Sequence, residues 1–379
     1  MNKLILTLAC IILSLCIGSV YSWSIFILPI QEVTNFSLPA IQLVFCLTIF
    51  TLGITTSLAG KFISSHMPYQ VALLGTILFT IGMIFTGLMI SFFPLGIYIT
   101  YGILLGIGTG IIYLIPIPLL LQAFPNNPAL GTSISILAFG FGSAVFIPIA
   151  KIFPIFTDAF IIIGIVYGLL MTVASLMLEG KEYIITKMEA IDAITPEKAI
   201  KTKEFYYIFT IIFINILIGI SLISIAAPFG KELLLDAALL VSIIGLSNGL
   251  GRPIWAAFAD KIGHINIYKI LFIVQILCIL IMILSENNIL IMLTLCIIIS
   301  CYGAGFSCCP ALISAVFGKA FASEIFGKVL FAWGIAGLIG PFLISILYTY
   351  LETYLISIVL LSSLYFIGLY CSTKIKKLV

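Results

Sequence analysis

The sequence holds one arginine, Arg252, against sixteen lysines, and it stands in the run Asn248, Gly249, Leu250, Gly251, Arg252, Pro253 inside an otherwise apolar stretch. A guanidinium stays charged at any physiological pH and presents a planar fork of donors that matches a carboxylate. Buried away from water it needs a counter-charge, yet the fourteen Asp and Glu residues all stand in loops or at helix ends. Three partners are open from the residues alone. A substrate anion completes the pair; or Asn248, four positions earlier and so on the same helical face, satisfies the group together with backbone carbonyls; or the side chain faces a cytoplasmic cavity. The first reading predicts a binding site for a small organic anion.

Polar-tipped aromatics in the apolar stretches extend that reading: Tyr21, Trp23, Tyr113, Trp255, Tyr302 and Trp333. A phenol or an indole can hydrogen-bond an anion while excluding water, although packing and lipid-facing roles are open for each. Other chemistry is scarce. The two histidines, His66 and His264, fall in polar connections, and the nine cysteines lack the spacing of a metal site. No nucleophile stands beside a base. No metal, no cofactor and no enzymatic activity are expected.

The elements that must position Arg252 follow from composition. Hydrophobic residues make up 63% of the chain and charged residues 8%, with a mean hydropathy of +1.33; a soluble chain carries about 25% charged residues. The chain is therefore expected to be an all-α, multi-pass membrane protein, with the lipid bilayer rather than nucleic acid as its partner. Cutting at charges and Pro/Asn clusters leaves twelve segments of transmembrane length. They run Leu4 to Ile30, Leu38 to Leu58, Val71 to Ile90, Leu95 to Leu121, Ala129 to Ile149 and Ala159 to Leu178, then Phe205 to Phe229, Leu234 to Ala259, Ile265 to Leu284, Ile289 to Ala311, Ile325 to Tyr348 and Tyr354 to Tyr370. Lys3 and Leu4 to Ile17 have the outline of a cleavable leader, but the apolar run continues to Ile30, too far for one.

With both termini cytoplasmic, fourteen lysines face the cytoplasm and only Lys151 and Lys231 face outward, as the positive-inside rule requires. Asp260 then marks the inner end of the eighth span. Eight residues at about 1.5 Å each place Arg252 roughly 12 Å deeper, near the middle of a core about 30 Å thick.

The one long polar stretch, residues 179–204, carries six acids and five lysines and reads as a cytoplasmic linker, with Met188, Ile191 and Ile194 as the face of a short amphipathic piece. It divides an N-terminal six-helix bundle, residues 1–178, from a C-terminal one, residues 205–379. A shift of about 196 residues maps Gly60 onto Ala256, Ser64 onto Asp260 and Gly131 onto Gly327. Parallel repeats of this kind suit a six-plus-six transporter.

Several motifs resemble the major facilitator superfamily, and within it the oxalate/formate antiporter family, with a more distant similarity to the monocarboxylate porters. They are Tyr21 to Phe26 with Pro29; Asn248 to Pro253 followed by Ala259, Asp260, Lys261 and Gly263; Gly108 to Tyr113; Phe124 and Pro125; and Phe326 and Gly327 with Trp333 to Pro341. The resemblance implies a major facilitator fold and a carboxylate held by Arg252 in an aromatic cage. It also implies a gate at Asp260, Lys261 and Gly263, matched in the first half by Gly60. Three positions depart from it. Oxalate carriers of the family have a lysine on the eleventh helix where this chain has Trp333, which favours a monocarboxylate of the formate, lactate or pyruvate type. Proton-linked porters have a carboxylate where this chain has Asn248, which favours exchange or facilitated diffusion. Ser64 replaces the gate aspartate of the first half. The expected function is a monomeric secondary carrier of the cell membrane, an antiporter or facilitator that binds its anion through Arg252. A facilitator of a neutral or cationic solute, or a nontransporting sensor with a structural Arg252, is the alternative.

Overall fold

Apolar runs of this length become helices because a backbone without water must satisfy its own N–H and C=O groups. The computed structural model describes residues 3–58, 66–124, 128–180 and 194–378. Among these the chain is helical throughout, with no strand. The long helices are α1 (Lys3–Thr34), α2 (Leu38–Leu58), α3 (Pro68–Phe92), α4 (Pro94–Ala123), α5 (Pro128–Ala150) and α6 (Phe156–Leu176). After them come α7 (Lys203–Glu232), α8 (Ala237–Ile262), α9 (Ile267–Leu284), α10 (Asn288–Phe317), α11 (Ala322–Leu351) and α12 (Tyr354–Lys374). Among the described residues, eleven are long and apolar enough to cross a membrane; α5 contributes a shorter apolar stretch, Ile134–Ala150. The amphipathic piece expected around Met188 and Ile191 lies outside the described residues.

Helix ends depart from the expected ones where polar caps decide them. The eighth span, expected from Leu234, starts at Ala237. Asp236 caps it, its Oδ1 accepting the Leu239 N–H at 2.8 Å, and Leu234 sits outside with a left-handed φ of 55°.

Two helices change winding within the bilayer-length region. In α1 the stretch Gly18–Phe26 tightens to 3₁₀ geometry, and it carries both Tyr21 and Trp23. In α4 the stretch Tyr98–Leu105 loosens to a π-helix. Carbonyls displaced by the looser winding find donors on α2: Thr48 Oγ1 donates to the Tyr101 carbonyl at 3.2 Å and Thr51 Oγ1 to that of Gly102 at 2.8 Å. The side-chain hydroxyls thus restore bonds that the backbone gives up.

Helices α2 and α11 meet at Gly53 and Gly334, and α5 meets α8 at Gly140 and Gly249. A Cβ on Gly140 would stand 2.5 Å from the Gly249 Cα and 2.8 Å from its nitrogen. Backbone faces backbone there, so nothing can give way by a rotamer change. Gly140→Val is therefore expected to force α5 off α8 at a cost of about 1–3 kcal/mol. The measurement is the thermal midpoint of the detergent-purified protein, and an unchanged midpoint would show that the two helices part without cost.

Polar contacts tie the first six helices to the last six at the end of the assembly where α5 finishes. Lys151 Nζ lies 3.2 Å from Asp236 Oδ1, and the buried Gln42 donates to the Ser224 carbonyl at 3.0 Å. At the opposite end, the last carbonyls of α10 are capped from two sides. Ile194 N–H donates to Phe317 at 2.9 Å and Leu378 N–H to Val316 at 3.1 Å, which answers the need of a helix terminus for outside donors.

Candidate substrate site

Arg252 lies on α8 and is 2% exposed. Its neighbours in sequence explain how a long cation fits there. Gly251 lets α10 approach at Ser300, and on α10 a Cβ at Gly303 would run into the Asn248 carbonyl and come within 3.2 Å of the Arg252 Cγ. The two helices are pinned at this level by the Ser307 hydroxyl, which donates to the Arg252 carbonyl at 3.0 Å.

The guanidinium is held between two phenyl rings. Its Cζ lies 5.5 Å from the Phe306 ring centre and 5.7 Å from that of Phe139, within cation–π reach. The Tyr113 hydroxyl on α4 lies close enough to it to interact with its charge. Nε and Nη1 are buried with no hydrogen-bond partner, and among the described residues no carboxylate pairs with this arginine. Rings carry almost none of the counter-charge that a buried cation needs.

Donors converge around it. Tyr21 on α1 and Tyr302 on α10 share a hydrogen bond of 2.9 Å, and both lie near enough to feel the Arg252 charge. Trp333 on α11 closes another side, its ring 4.8 Å from Phe306 and 5.3 Å from Tyr113. Its indole N–H is buried without a partner, and so are both amide atoms of Asn248, one turn before Arg252. A buried cluster rich in donors, ringed by aromatics and, among the described residues, without an acid is suited to hold an anion away from water.

The chain matches the Major Facilitator Superfamily over residues 8–341. It belongs to that superfamily. The transporter is 25% identical to the oxalate:formate antiporter of Oxalobacter formigenes, over 88% of this chain and 82% of that one. It is 24% identical to YhjX, an uncharacterised MFS-type transporter of Escherichia coli (strain K12), over 86% and 84%. The xylose transporter XylE from E. coli, in a partially occluded inward open conformation, superposes with a TM-score of 0.73 at 14% identity, covering 97% of this chain and 96% of that one. A bacterial homologue of the human lysosomal transporter Spinster, inward-facing and unoccupied, gives 0.70 at 14%, covering 97% and 95%. At that identity the likeness is one of fold. The chain is thus a transporter rather than an enzyme, and a multi-pass integral protein of the cell membrane.

Not every residue singled out in the sequence joins the transporter's central group. Trp255 turns away: its indole donates to Ser300 Oγ at 3.0 Å and its ring lies beside the exposed Phe258. Trp23 is fully buried against Tyr101, 4.5 Å between ring centres, in an aromatic cluster continued by Phe160 and Phe26. Asn215, a further buried polar residue on α7, serves structure. Its amide donates to the carbonyls of Cys301 and Tyr302 and accepts from Gln275 Nε2 at 3.0 Å, fixing α10 against α7 and α9. Phe139 and Phe306 are the two site residues that the sequence reading missed. Phe306 follows Tyr302 by four positions and so shares its face, whereas Phe139 carries no polar atom to mark it.

Of the residues expected to form a gate, Asp260 and Lys261 are exposed at the end of α8, with His264 Nε2 3.8 Å from Asp260 Oδ1. Gly263 has a φ of 92°, a conformation that side chains avoid, and it ends the helix there. Gly60 and Ser64 lie outside the described residues.

Proposed function

We propose that this chain is a secondary carrier of a small monocarboxylate of the formate, lactate or pyruvate class, with Arg252 binding the carboxylate. The observation that carries the reading is the guanidinium itself: buried at mid-helix, fenced by rings, two of its nitrogens unsatisfied and, among the described residues, no acid beside it. A carboxylate matches the guanidinium in charge and in the geometry of its donor fork. The carboxylate exchange in the name of the Oxalobacter formigenes relative supports it. One cation suits one negative charge; Trp333 contributes a neutral donor where a second cation would be needed for a dianion.

The carrier works by alternating access between two six-helix bundles, residues 1–178 and 205–379. The lysine bias supports reading the chain as twelve spans with the linker 179–204 and both termini on the cytoplasmic side. Lys151 and Asp236 then lie on the outer side, where they join the two bundles.

Coupling to protons finds no carrier group near the site. Asn248 is neutral, and Asp236 at the helix end is held below the usual carboxylate range, chiefly by the Leu239 N–H and then by Lys151. Its folded-state pKa being depressed, Asp236 stays ionised at every pH above its ordinary value and protonates only in acid. Exchange or facilitated diffusion follows.

The test is a counterflow assay in proteoliposomes with a panel of competitors. Formate, lactate and pyruvate are expected to compete, while oxalate, succinate, sugars and amines compete weakly or not at all. Uptake of a sugar or an amine with no competition by any carboxylate would remove the proposal.

A further inference from the structure

Nine consecutive residues of α1, Gly18–Phe26, are wound as a 3₁₀-helix in the middle of an otherwise α-helical span, although 3₁₀ runs rarely pass three or four residues. We infer that this stretch is a winding switch: it stays tight while Tyr21 is hydrogen-bonded to Tyr302 on α10 and relaxes to α-helix when α1 and α10 separate. Contact between two helices is thereby converted into the length and rotation of the rest of α1. The inference uses the bond between α1 and α10 and holds whatever solute is carried.

Three observations carry it. The tight stretch leaves polar groups unmet: the hydroxyls of Ser22 and Ser24 and the indole N–H of Trp23 are buried with no hydrogen-bond partner, so this winding does not satisfy its own side chains. It is held from outside. The Tyr21 and Tyr302 hydroxyls share a bond of 2.9 Å across the two helices, whereas the Ser19 hydroxyl only donates back to the Cys16 carbonyl within α1. Finally, the tight stretch lies against a loose one. Trp23 packs on Tyr101, 4.5 Å between ring centres, and Tyr101 belongs to the π stretch of α4. Overwound and underwound segments in contact can relax together, because relaxation removes turns from α1 and adds them to α4.

Relaxation has a definite size. A residue rises about 2.0 Å and turns about 120° in a 3₁₀-helix, against about 1.5 Å and 100° in an α-helix. Over the nine residues α1 shortens by about 4–5 Å, and the segment beyond Phe26 turns by roughly half a revolution. Tyr21 turns by about 80° away from Tyr302, and Trp23 by about 120° out of its contact with Tyr101. Gly18 gives the rotation its origin. Its backbone lies on that of Gly142 in α5, where a Cβ on either residue would collide, so no side chain is swept past the neighbour as the stretch turns.

Eight of the nine cysteines are buried and Cys296 is half-buried, so the switch can be read without stripping the chain of its cysteines. Leu8 and Val33, exposed on either side of the stretch, are replaced as Leu8→Cys and Val33→Cys together with Cys296→Ser. The distance between spin labels on the two new cysteines is then measured by pulsed electron resonance in the purified protein. Two distances about 4–5 Å apart are expected, the longer belonging to the tight form. Tyr21→Phe and Tyr302→Phe remove the same hydrogen bond from opposite ends, and each shifts the population toward the shorter distance by about two- to tenfold, the worth of one such bond. Either variant suffices if the other does not fold. A single distance that neither variant changes overturns the inference. So does a shift toward the longer distance, or a shift by Tyr21→Phe alone when both variants fold.

Discussion

Arg252→Gln abolishes carboxylate uptake without harming the fold. Glutamine keeps a planar donor of smaller size and removes the charge. A carboxylate brought into the ring-lined site then has no counter-ion, and an uncompensated buried charge costs about 3–5 kcal/mol, which corresponds to a loss in affinity of roughly two to three and a half powers of ten. Arg252→Lys keeps the charge and loses the fork, so a smaller loss is expected, on the order of tenfold. The empty protein behaves in the opposite sense. Nε and Nη1 of Arg252 have no partner, so replacing this unpaired cation with a neutral side chain should hold or raise the thermal midpoint. Uptake in proteoliposomes and melting of the same preparation are measured together. Normal uptake by a folded variant would exclude Arg252 as the anchor, and a steep fall in melting temperature would mark it as structural.

That pairing of lost activity with retained stability is what separates a functional arginine from a packed one, and the sequence could announce only the first half of it. Charge and position along an apolar run made Arg252 conspicuous; the absence of a partner had to be seen in three dimensions. Helix existence was readable for the same reason. Apolar length dictates it, and every expected span has a helix over most of its residues. Winding was not readable, since the π stretch of α4 depends on what α2 offers in return, the hydroxyls of Thr48 and Thr51.

Side-chain direction divided the aromatic candidates. Tyr21 and Trp23 are two residues apart, and neither α nor 3₁₀ winding lets such a pair face the same way; one reaches Tyr302, the other packs on Tyr101. Trp255 lies three residues beyond Arg252 and so close to its face, but the hydroxyl of Ser300 draws its indole outward. Phe139 and Phe306 show the converse. They hold the guanidinium without a polar atom, and a search for reactive groups passes over them.

Trp333→Lys inverts the charge preference of the site. The Trp333 ring lies 4.8 Å from Phe306, which itself lies against the Arg252 guanidinium, so an ammonium at the end of a lysine stem there faces Arg252 across the pocket. Two cations in a space of low dielectric repel, and the lost indole leaves a gap that lysine only partly fills; removing a large buried aromatic costs about 3–5 kcal/mol when nothing replaces it. The empty variant is therefore expected to melt well below the wild type. Monocarboxylates can neutralise only one of the two charges and protect it poorly. Oxalate neutralises both, and at about 100 times its dissociation constant it returns roughly 2.7 kcal/mol by mass action. The expected pattern is oxalate protecting the variant at concentrations at least about tenfold below formate, with the order reversed in the wild type. The measurement is thermal unfolding against both acids in each protein. A folded Trp333→Lys that oxalate fails to protect would mean that residue 333 does not face the bound anion, and the single-cation argument for a monocarboxylate would fall with it.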